Sequence, residues 1–207
     1  QPEGVSRGTV VFVHGGYWKA FDKSYWSHLA AGPLARGYAV AMPSYDLCPD
    51  VRISEISTQI AAALTEVANR TQGTIVLSGH SAGGHLVARM TDPLLLGAEV
   101  RDRITRIVPI SPVADLAPLL QTQMNDTLRL DEAEAEAESP MNMTPPHGVD
   151  VTVWVGAQER PAFLEQAENF ARSWGAKQVV AEGKHHFDVI DPLGEPDSDL
   201  TKALLGS

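Results

Sequence analysis

A serine stands between two glycines in the sequence Gly79-His80-Ser81-Ala82-Gly83, directly after the apolar run from Thr74 to Leu77. A serine hydroxyl is a weak nucleophile, so an enzyme that uses one holds it exposed, beside a base and close to amide donors that stabilise an oxyanion. The G-x-S-x-G spacing is typical of a strained turn between a strand and a helix. It predicts Ser81 as a nucleophile, with the Ala82 amide at the start of the helix as an oxyanion donor.

A second motif follows the apolar run Thr9 to Val13, which ends abruptly in His14-Gly15-Gly16-Tyr17-Trp18. A continuous apolar strand of this kind is typically buried on both faces of a sheet. The loop after such a strand supplies further oxyanion donors in hydrolases with a serine turn, and we assign the Gly16 and Tyr17 amides to that role. The alternative is that His-Gly-Gly forms only a turn.

Aromatic and histidine side chains near these two motifs could form a substrate pocket. We assign Tyr17, Trp18 and His85 to its wall, although Tyr17 and Trp18 would be core residues in most proteins. For His80 and His85, polar packing beside the serine turn is the alternative.

The base is expected in the loop after the last strand, which we place at Lys177 to Ala181. Two adjacent histidines, His185 and His186, occur there, and either could face the serine. The acid should follow the preceding strand, and the β-branched run Val149 to Val155 ends shortly before Glu159. Glu159 is therefore the candidate acid that orients the imidazole, unless it is a solvated loop charge.

Other acids and other chemistries fit the sequence less well. Asp188 and Asp191 follow His186 too closely, and Asp115 follows the wrong strand for the usual order of serine, acid and histidine. The histidines lack the ligand spacing of a metal site, and no Lys-Ser/Thr follows Gly79 to Gly84 as a phosphate loop requires. We therefore predict no metal and no cofactor.

The elements that must position these residues alternate between strands and helices along the chain. We predict strands near Thr9–Val13, Tyr38–Met42, Thr74–Ser78, Ile104–Ile110, Val151–Val155 and Lys177–Ala181. Apolar stripes at helical spacing lie between them, one on Ile53, Ile56, Ile60, Leu64 and Val67 and one on Phe163, Ala167, Phe170 and Trp174. This alternation predicts a three-layer α/β/α fold with a mainly parallel central sheet.

The 207 residues are expected to form a single domain, 1–207, with an excursion at 111–146. That excursion contains several prolines and either caps the site or simply connects two strands. The acidic run from Asp131 to Glu138 within it predicts an exposed helix. The lone cysteine, Cys48, predicts a buried thiol without a disulfide.

The amino-acid composition argues against certain classes of binding partner. The chain has 16 basic and 26 acidic residues, a formal charge of −10, which argues against nucleic acid and anionic membranes. No apolar stretch approaches the length of a membrane span and no signal peptide is visible, so we expect a cytoplasmic protein that acts on a small molecule. The oligomeric state stays open, with a homodimer among the options.

Four segments together resemble those of one known family. They are His14-Gly15-Gly16-Tyr17-Trp18, similar to HGGYW; Gly79 to His85, similar to that family's serine turn; Ser111 to Leu116, like S-G-V-Y-D-L; and His186 to Ile190, like H-F-D-I-I. With them the chain resembles the α/β-hydrolase superfamily and, within it, the kynurenine formamidase (arylformamidase) group. The resemblance covers nearly the whole chain.

The resemblance implies a hydrolase fold, a nucleophile at Ser81 and a base at His186 rather than His185. That group's acid is an aspartate in a D-x-P-x-F context, and Glu159 occupies the corresponding place here. The implied reaction removes a formyl group from an aryl amide, as in the conversion of N-formylkynurenine to kynurenine and formate. The alternatives are a general short-chain carboxylesterase and, from another class, a non-catalytic hydrolase-fold protein that binds a ligand.

Overall fold

A single parallel sheet organises the molecule. The structure is a computed structural model that describes residues 1–206. The described residues form a six-stranded sheet in the order β2-β1-β3-β4-β5-β6, with every neighbouring pair parallel. The strands are β1 (Thr9–Val13), β2 (Ala39–Ala41), β3 (Ile75–His80), β4 (Ile104–Ile110), β5 (Asp150–Gly156) and β6 (Lys177–Ala181). All six predicted strands are confirmed.

Helices cover both faces of this sheet. The α-helices in residues 1–206 are α1 (Ala31–Ala35), α2 (Ile53–Arg70), α3 (Ala82–Arg89), α4 (Ala98–Arg101), α5 (Asn125–Leu128), α6 (Glu132–Glu138), α7 (Pro161–Trp174) and α8 (Asp199–Leu205). Short 3-10 helices occur at Lys23–Ala30, Ala117–Gln121, Pro140–Asn142 and Asp191–Gly194. The predicted three-layer α/β/α architecture is confirmed.

Alternate side chains of the central strands build the two halves of the core. On β1, Val11 and Val13 pack in the cluster that includes α2 and α3, whereas Val10 and Phe12 pack in the cluster that includes α8. Successive side chains of a strand point to opposite faces, so a strand buried on both faces is apolar throughout. Every residue of β1 is buried, as its continuous apolar sequence predicted.

The two predicted apolar stripes lie on α2 and α7. Ile53, Ile56, Ile60 and Leu64 of α2 are buried, as are Ala167, Phe170 and Trp174 of α7. The backbone amide of Arg52 donates to the Glu55 carboxylate where α2 begins, and α7 ends at Gly175 in the left-handed conformation. The stripes fix both helices on the same side of the sheet.

The prediction of an exposed acidic helix is wrong for half of its glutamates. In α6, Glu134 and Glu138 are buried. Arg52 forms an ion pair with Glu134, and Arg89 forms one with Glu138 at 3.0 Å. The sequence of α6 alone does not show these partners, because they lie on α3 and at the beginning of α2.

The segment 111–146 packs α6 against α2, and its 3-10 helix at Pro140–Asn142 packs against α3 and α7. Cys48 is a buried free thiol, as predicted. None of the helices within residues 1–206 combines the length and the apolar character that crossing a bilayer requires.

Candidate active site

The candidate residues meet at the carboxyl ends of the strands. Ser81 follows β3, Glu159 follows β5 and His186 follows β6, and all three line one cavity of about 560 Å³. Its volume is within the usual range of small-molecule pockets, about 300–1,000 Å³. The parallel sheet thus brings side chains that are more than a hundred residues apart in the chain to a single site.

The turn at Ser81 is sharply strained. Its backbone has φ 55° and ψ −115°, a region that residues other than glycine rarely adopt. A side chain at Gly79 would collide with the backbone of Gly83, and one at Gly83 would collide with the carbonyl of Val13. The two glycines are therefore required for the close approach of β3, α3 and β1, and this packing holds the serine at the tip of the turn.

The loop after β1 adopts a conformation that leaves amides unpaired. Gly16 has φ 115°, Tyr17 φ 50° and Trp18 φ 56°, and among residues 1–206 the Gly16 and Tyr17 amides have no acceptor. The Tyr45 hydroxyl donates to the His14 carbonyl at 3.0 Å and fixes the beginning of the loop. Unpaired backbone amides beside a nucleophile are suited to stabilising an oxyanion.

Ala82, the third candidate donor, is the first residue of α3. The first amides of a helix have no intrahelical acceptor, so its N–H is available at the positive end of the helix dipole. The residue itself is fully buried and is not among those that line the cavity.

His186 is held by a buried carboxylate. Its Nδ1 lies 2.6 Å from Oε2 of Glu159, and the Glu159 side chain has no exposed surface. The other oxygen, Oε1, accepts from the Ser111 hydroxyl and from the Gly156 amide at 2.9 Å. Glu159 is therefore a fixed acceptor for the imidazole and not a solvated loop charge.

Hydrogen bonds keep Glu159 ionised. Burial on its own would raise its pKa, but the bonds from His186, Ser111 and the Gly156 amide outweigh burial, and the pKa lies below its usual value. An ionised acid can stabilise the imidazolium that forms when a histidine accepts a proton.

No hydrogen bond joins the Ser81 hydroxyl to the His186 imidazole. Ser81 Oγ and His186 Nε2 have no hydrogen-bond partner among residues 1–206, although both residues line the cavity. Such bonds are often long in the unliganded state and tighten when substrate binds. His186 and Glu159 therefore form a fixed pair. Ser81 lines the same cavity without a hydrogen bond to this imidazole.

His80 connects the serine turn to the histidine loop. Its Nε2–H donates to the His186 carbonyl at 2.8 Å, and the two imidazole rings lie 4.6 Å apart. Because a carbonyl only accepts, Nε2 carries the proton of His80, and Nδ1 is buried without a partner. Burial and the neighbouring charge of His186 lower the pKa of His80 to about 3, so the ring is neutral near pH 7.

The adjacent histidine has other partners. His185 Nδ1 lies 3.1 Å from the Asp188 carboxylate, and the backbone amide of Phe187 donates to the same nitrogen. His185 lines the outer part of the cavity, with about half of its side chain exposed. Of the two residues, His186 is the one bonded to Glu159.

Two pocket assignments are wrong. Trp18 and His85 are fully buried and do not line the cavity. The Trp18 indole donates to His85 Nδ1 at 3.3 Å, and His85 Nε2–H donates to the Glu138 carbonyl at 2.7 Å. In the left-handed turn after Gly16, Tyr17 lines the cavity whereas the next side chain enters the core. Both residues therefore link the loop after β1 to α3 and α6.

The wall of the cavity is largely aromatic, and most of its residues were not predicted. Phe163 was assigned to a core stripe, yet its ring lies 4.1 Å from that of His186. Phe21, Trp26 and Gln158 have no distinctive local motif, and Phe187 belongs to the His-Phe-Asp sequence. The wall includes Gly16, Tyr17, Phe21, Trp26, His80, Gln158, Arg160, Phe163, His185 and Phe187. Ser111, which holds Glu159, was also missed.

No group of three or more His, Cys, Asp and Glu side chains among residues 1–206 is arranged to hold a metal ion. The chemistry that the site can support with its own side chains is nucleophilic attack by Ser81, assisted by His186.

The sequence was compared with protein families and with known proteins. Residues 10–189 match a family described as alpha/beta hydrolase fold. Over 216 residues the chain is 34% identical to a kynurenine formamidase of Drosophila melanogaster, covering 94% of this chain and 71% of the relative.

Two solved structures extend the comparison. One is a candidate thioesterase from Silicibacter sp. TM1040, 58% identical with a TM-score of 0.97, over 99% of this chain and 78% of that one. The other is esterase 2 of Thermogutta terrifontis, 20% identical with a TM-score of 0.73, over 91% and 78% of the two chains. At that identity the second likeness shows the fold alone.

Proposed function

The chain belongs to the α/β-hydrolase fold family and, within it, to the kynurenine formamidase group, and from this premise we propose that it is an arylformamidase. The substrate we propose is N-formylkynurenine, which is hydrolysed to kynurenine and formate. The observation that carries the proposal is the cavity in which a strained serine turn and a carboxylate-held imidazole face an aromatic wall.

In the proposed mechanism, Ser81 is the nucleophile. His186 accepts the Ser81 proton, and Oγ attacks the formyl carbon while Glu159 stabilises the imidazolium. The amides of Gly16, Tyr17 and Ala82 donate to the oxyanion, each worth about 3 kcal/mol of barrier. His186 then passes its proton to the leaving nitrogen, the C–N bond breaks, and the aryl amine departs from a formyl ester on Ser81. Water activated by His186 hydrolyses that ester to formate and restores the serine.

Several features support an aryl formamide as substrate. The formyl group is the smallest acyl group, so the large cavity is available to the amine side of the substrate. Its wall of Tyr17, Phe21, Trp26, Phe163 and Phe187 offers faces and edges on which an aromatic ring can stack. The named activity of the Drosophila relative agrees with this substrate class.

A second candidate is a carboxylesterase for short acyl groups. An apolar cavity and the same nucleophile would also serve an ester, and the solved structure that is 58% identical to this chain is described as a candidate thioesterase. A protein that only binds a ligand in this cavity is the candidate from a different class.

Steady-state kinetics on N-formylkynurenine and p-nitrophenyl acetate separate these candidates. We expect a higher kcat/KM for the formamide, and a loss in kcat of at least about 10⁴-fold in Ser81→Ala. Ser173→Ala, which removes an exposed hydroxyl on α7, is the matched control and should keep wild-type rates. A higher kcat/KM for the ester favours the esterase, and no turnover of either compound favours the binding protein.

Cytoplasmic action on a small molecule, without nucleic acid or membrane partners, is part of the proposal. The excess of acidic residues disfavours contact with polyanions. Cell fractionation with an antibody against the protein tests the location, and sedimentation tests the open question of a homodimer.

A further inference from the structure

One guanidinium in the active-site cavity has no partner. Arg160 lies between Glu159 and Pro161, at the residue that precedes α7, and lines the cavity. Its side chain makes no ion pair or hydrogen bond within residues 1–206. In the same part of the chain, six other arginines form ion pairs, whereas Arg101 and Arg103 donate to backbone carbonyls; the six are Arg36, Arg52, Arg70, Arg89, Arg106 and Arg172. Arg160 is exposed, so its guanidinium is accessible to a ligand that enters the cavity.

The charge of Arg160 acts on the interior of the cavity. Burial raises the pKa of the Tyr17 hydroxyl, and the positive charge of Arg160 opposes that rise, so the guanidinium lies within electrostatic reach of the Tyr17 ring. Among residues 1–206, the acid that lines the cavity is Glu159. Its oxygens already accept hydrogen bonds from His186, Ser111 and the Gly156 amide. No protein group in the cavity neutralises Arg160.

Two further features favour an anion at this place. Arg160 immediately precedes the 14-residue helix α7, whose first turn adds positive potential. A guanidinium presents parallel N–H groups that match the two oxygens of a carboxylate.

We propose that Arg160 binds a carboxylate on the amine side of the substrate, so that this enzyme selects aryl formamides that carry a carboxylate in this position. The inference rests on the proposed function, because it assigns the group that the formamidase site recognises beside the reacting carbonyl. Arg160 is a specificity-determining residue here and takes no part in proton transfer.

A matched pair of substrates tests the assignment. N-formylkynurenine carries the carboxylate beside an ammonium group, and its carboxamide derivative keeps the shape and the ammonium group but lacks the negative charge. For the carboxylate, we expect Arg160→Gln to raise KM about 10-fold, the value of one charge-assisted bond, with kcat unchanged. For the carboxamide, the same variant should keep the wild-type KM.

Arg172→Gln is the control, because it removes the same charge from the same helix at an exposed ion pair with Glu168. Arg172→Gln should leave kcat and KM unchanged for both substrates. Arg160→Glu should raise KM for the carboxylate further than Arg160→Gln does, and it should not raise KM for the carboxamide.

Equal changes for the two substrates, or no change for either, would overturn the role of Arg160. Wild-type enzyme that hydrolyses both formamides with the same KM would refute this inference and leave the proposed function standing. Wild-type enzyme that hydrolyses neither would refute the proposed function itself.

Discussion

At the scale of single residues, Ser81 is held in a backbone conformation that serine rarely adopts. A residue other than glycine in a sparsely populated backbone region costs about 1–3 kcal/mol and persists where its surroundings over-determine it. Here the Ser81 amide donates to the Ile110 carbonyl at 2.8 Å, and Gly79 and Gly83 allow three elements to close around the turn. The strain serves to expose the hydroxyl at the carboxyl end of β3.

His80 is predicted to position the base. Its Nε2–H holds the carbonyl of His186, so replacement by Phe keeps the ring packing and removes the donor. We expect His80→Phe to lower kcat about 10- to 100-fold with KM nearly unchanged, because small displacements of a catalytic group have effects of this size. Initial rates of formamide hydrolysis at a series of substrate concentrations give kcat and KM.

His80→Gln is the conservative variant, since its amide can donate to the same carbonyl, and it should recover most of the lost kcat. Circular dichroism should show both variants folded. A His80→Phe enzyme with wild-type kcat, or a Gln variant as slow as the Phe variant, would contradict a positioning role.

Residue types and spacing predicted which segments meet at the cavity better than they predicted the direction of single side chains. The G-x-S-x-G spacing singled out Ser81, and the strand before Glu159 singled out the carboxylate that now lies 2.6 Å from His186. The assignments of Trp18 and His85 to the pocket failed because neighbours in a left-handed turn diverge. The local sequence does not show which of them enters the core.

At the scale of elements, the strands were predictable and the partners of one helix were not. The continuous apolar run of β1 is typical of a strand that is buried on both faces of a sheet. The helix α6 has alternating glutamates and alanines, which suits a solvated surface. Its burial depends on Arg52 and Arg89, which are about 50 to 80 residues away in the sequence.

The buried ion pair of α6 is predicted to stabilise the fold. Glu138 accepts from Arg89 at 3.0 Å and from the Ser57 hydroxyl at 2.6 Å. Glu138→Gln leaves the buried guanidinium without its counter-charge, and breaking a buried pair from one side costs about 3–5 kcal/mol of unfolding free energy. Urea denaturation followed by tryptophan fluorescence measures the loss.

The matched control is Glu136→Gln, which changes an exposed glutamate of the same helix. It should stay within about 0.5 kcal/mol of the wild type. Equal stabilities of the two variants would show that the Arg89–Glu138 pair contributes no more than a surface charge.

At the scale of the whole molecule, the site exists because a parallel sheet gathers distant segments. Five strand ends contribute: the loop with Gly16 and Tyr17 after β1, Ser81 after β3, Ser111 after β4, Glu159 after β5 and His186 after β6. That edge of the sheet was predictable from the alternation of strands and helices. The aromatic wall was not, because Phe21 and Trp26 reach the cavity through loop geometry that the sequence pattern does not encode.

The most direct test of the central claim, that Ser81 is a nucleophile activated by His186 and Glu159, is covalent labelling with a fluorophosphonate followed by peptide mass spectrometry. We predict one label per native chain, located on Ser81, with none on Ser81→Ala, much slower labelling of His186→Ala and Glu159→Gln, and none on denatured protein. A native protein that stays unlabelled, or a label that falls on Ser78 or Ser111, would contradict the account.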